Sequence, residues 1–300
     1  MSQKSYIISH PEYMHIHTHM GEKIDNREAS GLEALDAEAL NLENSNLEAS
    51  HLDAADTEAL YGCNQDWYRI EWRRRAGCGP VAATNILMYL RKRYDVEKIP
   101  YFKTNKNINS NENNKVNNNV NNNVNNQVNN IVNNNANNNI INNTTINEAL
   151  AAMNDVFTYV RPKRRGLHTV KKFVRGMSKF GHSYGLSFWY QYLLVPPQAE
   201  KRPYLNEVAK FIEDGICNDV PIAFLNLDAG DVEAQLSSWH WVTVIGMTVE
   251  DDNLYTIHYY DQSKRLNVDL GRWLSTTESG GGFAYFCRPS PRADMAHSVR

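Results

Sequence analysis

GCGPVAATNILMYL, residues 77–90, sets a cysteine between two glycines at the head of a long apolar run. Pro80 suits the first turn of a helix, where a missing N–H loses no hydrogen bond. The run from Val81 to Leu90 is apolar on nearly every side, so the helix it predicts is buried rather than amphipathic. Arg91, Lys92 and Arg93 gather at its C-terminal end, where cations oppose the negative end of the helix dipole. Cys78 therefore stands at the positive end of a buried helix. The free N–H groups and the dipole there favour a thiolate over a thiol.

A nucleophilic thiol needs a base, and the chain has ten histidines. His15, His17 and His19 alternate in HIHTH, which predicts one face of a strand. No acidic or thiol ligand accompanies them, so no metal is expected there. His168 and His182 flank a predicted helix at 169–180 and suit surface or core roles. His258 falls within the strand-forming LYTIHYYD. His240 differs, because it heads a β-forming run, Trp239–Met247, followed by the polar turn TVEDDN and a second run ending at Asp261. As an antiparallel hairpin, the start of the first strand meets the end of the second. Asp261 then lies beside His240, where a carboxylate holds one imidazole nitrogen and turns the other towards a thiol. Singly, each residue has a plainer reading as core or turn; together they read as a site.

These stretches, GCGPVAATNILMYL, WHWVTVIG and HYYDQ, resemble the papain-like cysteine peptidases, and among them the bacterial C39-like branch. The likeness covers residues 61–288 apart from one insertion. It implies a papain-like α+β fold, with a central buried helix carrying the nucleophile against an antiparallel sheet. It also implies a glutamine ahead of the cysteine that helps stabilise the oxyanion. Gln65 in YGCNQDWY is the candidate, at a longer spacing than the family pattern. Trp67, Trp239 and Trp241 flank the expected site as substrate-groove candidates. Peptidases of this branch that trim leader peptides are joined to membrane transporters and differ around the cysteine, so that substrate is not implied.

The expected activity is hydrolysis of a peptide or isopeptide bond in a peptide or protein substrate, with no metal or organic cofactor. An amidase, transglutaminase-like or acyltransferase reaction would use the same three residues. A non-catalytic peptide-binding module is the reading from another class.

Two biased stretches stand apart from this core. From Ser30 the chain repeats every five residues, with Leu32, Ala37, Leu42, Leu47, Leu52 and Thr57 at the centre and an acid after each. The repeat resembles pentapeptide-repeat proteins but is too short to stack a core, so a polar, partly helical segment over 30–60 is expected. Between Asn105 and Asn143, 24 of 39 residues are Asn. Apolar residues recur there every fourth position, a spacing that winds round a helix instead of facing one partner. This predicts a disordered insertion. The remainder divides into an N-terminal arm at 1–29, the peptidase-like domain at 61–288 and a tail at 289–300.

Elsewhere, Thr145 with Glu148 predicts a capping box restarting a helix. Pro203–Ile216 predicts another helix, Val220 begins a buried strand, and GGGFAYFCR gives a late strand with Cys287 turned to the core. The net charge of −3 argues against a nucleic-acid partner. Arg73–Arg75 and Lys163–Arg165 read as solvated surface. No run is long and apolar enough to span a membrane, and the N-terminus lacks the apolar segment of a signal peptide, so a cytoplasmic bacterial protein is expected. No CxxC pair occurs. At least three of the four cysteines are expected to be small buried hydrophobes. Oligomeric state has no signature.

Overall fold

The structure, a computed structural model, describes residues 3–17, 59–99, 145–164, 166–250, 254–287 and 289–291. The five-residue repeat before Ala59 and the Asn-rich insertion lie outside the described residues.

The chain opens with β1 (Lys4–Ile7), a 3₁₀ turn at Pro11–Met14 and β2 (His15–His17). After β3 (Ala59–Tyr61) come two consecutive helices, α1 (Glu71–Ala76) and α2 (Cys78–Tyr94). Helices α3 (Ile146–Tyr159) and α4 (Val170–Ser183) follow, then short β4 (Leu186–Ser187) and β5 (Tyr190–Val195). Next are α5 (Leu205–Cys217), β6 (Ile222–Asn226), β7 (His240–Glu250), β8 (Leu254–Asp261) and β9 (Lys264–Asp269). The described chain closes with α6 (Leu270–Thr276), β10 (Gly281–Phe286) and β11 (Ser290–Pro291).

The main sheet runs β5-β10-β6-β7-β8-β9, with β1 joining at β7 and every pairing antiparallel. Mixed helix and antiparallel sheet makes this an α+β architecture. Strand β7 is its spine, and the Val, Thr and Ile content of HWVTVIGMTVE suits a buried strand. One edge of β7 is shared: β6 pairs with His240–Val244 and β1 with Gly246–Val249. The pairing with β8 shifts register between Val244 and Gly246. At Gly246 a Cβ would lie 2.7 Å from the Tyr6 carbonyl, so glycine allows the close approach of β1.

The N-terminal arm is thus not separate from the domain, as its sequence suggested. Its first strand satisfies backbone groups on β7, and Ser9 donates from N–H and hydroxyl to Asp219. Tyr89 of α2 donates to the same carboxylate, as does Arg93. Strand β2 pairs with β3, placing His17 opposite Ala59.

Alternate residues of the sheet face opposite layers. Trp241 and Thr243 of β7 face α2 and α4: Asn85 donates to the Thr243 hydroxyl at 3.2 Å, and the Phe173 ring stacks on Trp241 at 4.4 Å. Helices α5 and α6 cover the other face, where Gly215 abuts Ile222 and Trp273 meets the Phe224 ring edge at 4.7 Å. Helix α2 is buried from Cys78 to Arg91, as an all-round apolar helix must be. It ends at Asp95 in the left-handed conformation, φ 49°.

Local signals hold well. Thr145 and Glu148 form the reciprocal capping box at 3.1 and 3.2 Å. Helix α5 begins two residues later than Pro203 because Tyr204 is its N-cap, with Glu207 returning to the Tyr204 N–H at 2.7 Å. Strand β6 begins after Pro221, which has no N–H for a ladder.

Candidate active site

Cys78 is the first residue of α2, and Gly77 is the hinge from α1. The hinge is tight: a Cβ at Gly77 would lie 2.4 Å from the Arg73 carbonyl and 2.5 Å from the Tyr68 ring. The first hydrogen bond of α2 runs from the Val81 N–H to the Gly77 carbonyl at 2.9 Å. The N–H groups of Cys78 and Gly79 precede it, and Pro80 has none, so the helix start directs donors and dipole past the thiol. Cys78 is 6% exposed.

His240 is the first residue of β7, and Asp261 the last of β8. The hairpin brings them together: His240 Nε2 lies 2.7 Å from Asp261 Oδ1. The other side of the imidazole is in hydrogen-bonding reach of Cys78. With Nε2 held by Asp261, Nδ1 is the nitrogen left for the sulfur. The His240 ring is buried, the residue being 7% exposed. Burial alone would depress its pKa. The hydrogen bonds to Asp261 and Cys78, together with their charges, outweigh burial and hold it up at about 10. At neutral pH the ring is an imidazolium lying between a carboxylate and a sulfur.

Backbone strain flanks both members of this pair. Trp239, next to His240, has φ 57°. Gln262 and Ser263, next to Asp261, have φ 45° and 63°. Positive φ at both central residues suits the two-residue turn joining β8 to β9, but without glycine it carries strain. The turn is pinned from outside: the Tyr61 N–H donates to the Ser263 carbonyl at 3.1 Å, and the Ser263 hydroxyl donates to the Gly62 carbonyl at 3.2 Å.

Gln65 is half-buried and opens a 3₁₀ turn, Gln65–Trp67, capped by the Asn64 side chain. Its carboxamide makes no hydrogen bond among the described residues, to Cys78 or to any other partner. The segment carrying it is anchored to α2, because the Cys63 N–H donates to Asn85 Oδ1 at 2.8 Å. Trp67 is half-buried against the core. Trp239 is 59% exposed and meets His168 edge-on at 5.3 Å. Trp241 corrects the groove assignment: it is 2% exposed, stacked on Phe173, with its indole N–H donating to the Leu167 carbonyl at 2.7 Å. A ring so enclosed has no face left for a ligand.

Two further expectations are corrected. Of the thiols, Cys63 and Cys78 are buried, Cys217 is exposed and Cys287 half-buried. Cys217 ends α5 and Cys287 follows β10, positions that layers cover poorly. Arg73 and Arg74 are not simply solvated: Arg73 donates to Asn154 at 3.0 Å and lies over the Phe157 ring, and Arg74 donates to the Tyr68 and Arg69 carbonyls. Only Arg75, paired with Glu71, is largely in water.

Sequence reading missed Asn85 and Leu167, and gave His168 only a surface or core role, whereas its ring meets Trp239. Asn85 is seven positions after Cys78, so it lies two turns along the same helix face, and a lone amide in an apolar helix was the available signal. Leu167 packs over the helix start, 3.1 Å from where a Cβ of Gly79 would be. Among the described residues no cluster of His, Cys, Asp and Glu is arranged to hold a metal, and no helix is long and apolar enough to cross a membrane. Compared with models of known protein families the chain matches none, and no curated protein is similar enough to count as a relative.

Proposed function

We propose that the protein is a thiol-dependent peptidase working through Cys78, His240 and Asp261, with the papain-like arrangement that its sequence resembles. One observation carries the reading. A cysteine at the start of a buried helix lies close enough to raise the pKa of an imidazole that is held 2.7 Å from a carboxylate.

In this reading the Cys78 thiolate attacks the carbonyl carbon of the scissile bond, and the carbonyl electrons move to oxygen. The Cys78 N–H, with Gln65, donates to that oxyanion. As the tetrahedral species collapses, the C–N bond breaks and the His240 imidazolium gives its proton to the departing amine. His240 then takes a proton from water, whose oxygen attacks the thioester. Collapse of the second tetrahedral species expels the sulfur and releases the acid. Asp261 fixes the ring orientation and stabilises the imidazolium. The cycle requires neither metal nor organic cofactor. We place the enzyme in the bacterial cytoplasm, acting on peptides or proteins.

The test is a peptide-library digest read by mass spectrometry, with Cys78→Ala and His240→Ala as controls. Cleavage products present with the native protein and absent with both controls are expected. Adding glycine amide as a competing acceptor separates hydrolysis from acyl transfer. No product with any peptide, while the protein is folded, sinks the peptidase reading.

A further inference from the structure

We infer that the free edge of β5, with the adjoining face of α4, docks an acidic extended segment of a partner protein. Strand β5 is the last strand of the main sheet; β10 pairs with one edge, and among the described residues nothing pairs with the other. Its sequence, YQYLLV, carries no charge and no proline, the devices that normally protect an edge from further pairing. Tyr190, Tyr192 and Leu194 lie on one face of the strand, each about two-fifths exposed, and the two tyrosine rings stack with centroids 6.5 Å apart. An edge this apolar and uncharged is a template for added strand, and protein edges of this kind take up extended peptides through backbone hydrogen bonds.

Charge selects the occupant. Helix α4 carries Lys171, Lys172, Arg175 and Lys179 and no acidic residue. All four are exposed, and none forms an ion pair among the described residues. Lys171, Val174, Arg175 and Ser178 form a groove of about 270 Å³ with Tyr190 and Tyr192. Lys171 and Arg175 therefore line the edge, on a chain whose net charge is −3. A second copy pairing β5 to β5 across a two-fold axis would bring two such basic faces together, which disfavours self-association. An added strand with acids alternating with β-branched residues would place its carboxylates on the face of Tyr190 and Tyr192, at Lys171 and Arg175, and its apolar side chains on the opposite face, beside Leu193 and Phe211.

This inference stands apart from the proposed chemistry, and its test uses the full-length Cys78→Ala variant so that cleavage cannot intervene. The probe is a fluorescein-labelled peptide of about eight residues alternating glutamate and valine, with a lysine–valine peptide as control; binding is read by anisotropy at about 50 and 300 mM salt. We expect the acidic peptide to bind, the basic one not to, and affinity to fall with salt. The double substitution Lys171→Glu, Arg175→Glu should weaken the acidic peptide at least tenfold and admit the basic one. Exposed substitutions of this kind leave the core intact, and unchanged far-ultraviolet dichroism checks that. Amide exchange should slow at Gln191–Leu194 when the acidic peptide is bound. Equal binding of both peptides, no effect of the charge reversal, or a salt-sensitive dimer of the peptide-free protein that Tyr192→Lys abolishes would each overturn the inference.

Discussion

Replacing Asp261 with asparagine should disarm Cys78 while leaving the hairpin in place. Asparagine keeps the size of the side chain and removes its charge. The His240 pKa, lifted from an ordinary 6.5 to about 10, corresponds to about 5 kcal/mol of preference for the imidazolium, shared between Asp261 and Cys78. With the carboxylate gone, burial of the ring weighs more heavily against the imidazolium and the His240 pKa falls. The thiolate then has a weaker counter-ion. The assay is the rate of iodoacetamide alkylation at about pH 6, followed site by site by mass spectrometry. The protein supplies its own standard: Cys217 is exposed, whereas Cys63 is buried and its thiol pushed up by that burial. A thiol of ordinary pKa is less than about 1% ionised at pH 6. The ion pair proposed for Cys78 and His240 would then give a rate gain of up to about a hundredfold, partly offset by the lower nucleophilicity of such a thiolate. Cys78 should therefore react about tenfold or more faster than Cys217 in the native protein. Asp261→Asn should lower its rate at least tenfold, His240→Ala should bring it to or below that of Cys217, and Cys63 should stay silent throughout. If Cys78 is no faster than Cys217 at pH 6, or if His240→Ala leaves its rate unchanged, the imidazolium–thiolate argument is wrong.

Three more outcomes are expected. Because the folded pKa of His240 lies above its unfolded value, its stabilising contribution is complete below about pH 6.5 and is lost as pH rises towards about 10; the gap in urea midpoint between native protein and His240→Gln should shrink over that window, and a gap that widens contradicts the sign. Gln65→Ala should lower kcat about a hundredfold with little change in KM if its amide meets the oxyanion; an effect confined to KM removes it from that role. Gly77→Ala forces a methyl against the Arg73 carbonyl and the Tyr68 ring, and should destabilise the fold by about 1–3 kcal/mol in urea denaturation.

What could be read from sequence was what local chemistry writes down. The buried helix after Cys78, the capping box at Thr145 and the hairpin joining His240 to Asp261 depend on neighbours within a few turns or one strand pair. Periodicity and turn residues record those directly. The fate of Trp241 depends on Phe173 and Leu167, which the chain supplies from a distant helix and the loop before it, and nothing in WHWVTVIG records that. The same holds for β1, whose place on β7 rests on an edge that β6 leaves vacant beyond Val244. Asn85 was visible as an oddity in an apolar helix, but its two partners, Cys63 and Thr243, come from opposite directions along the chain. Gln65 lies between these cases, since its segment is anchored near α2 while its own amide remains uncommitted.

The β2–β3 ladder has a bearing on how this gene product can change length. His17 and Ala59 are paired neighbours, so the two ends of residues 18–58 are held together at a single doorway. The entropy of closing such an excursion grows only with the logarithm of its length, about 0.6 kcal/mol for a doubling. Closure entropy alone would therefore change little on gain or loss of whole five-residue units. That doorway opens beside the turn after Asp261, through the Tyr61 N–H on Ser263. Any change in repeat number would thus act on a junction at the border of the candidate site.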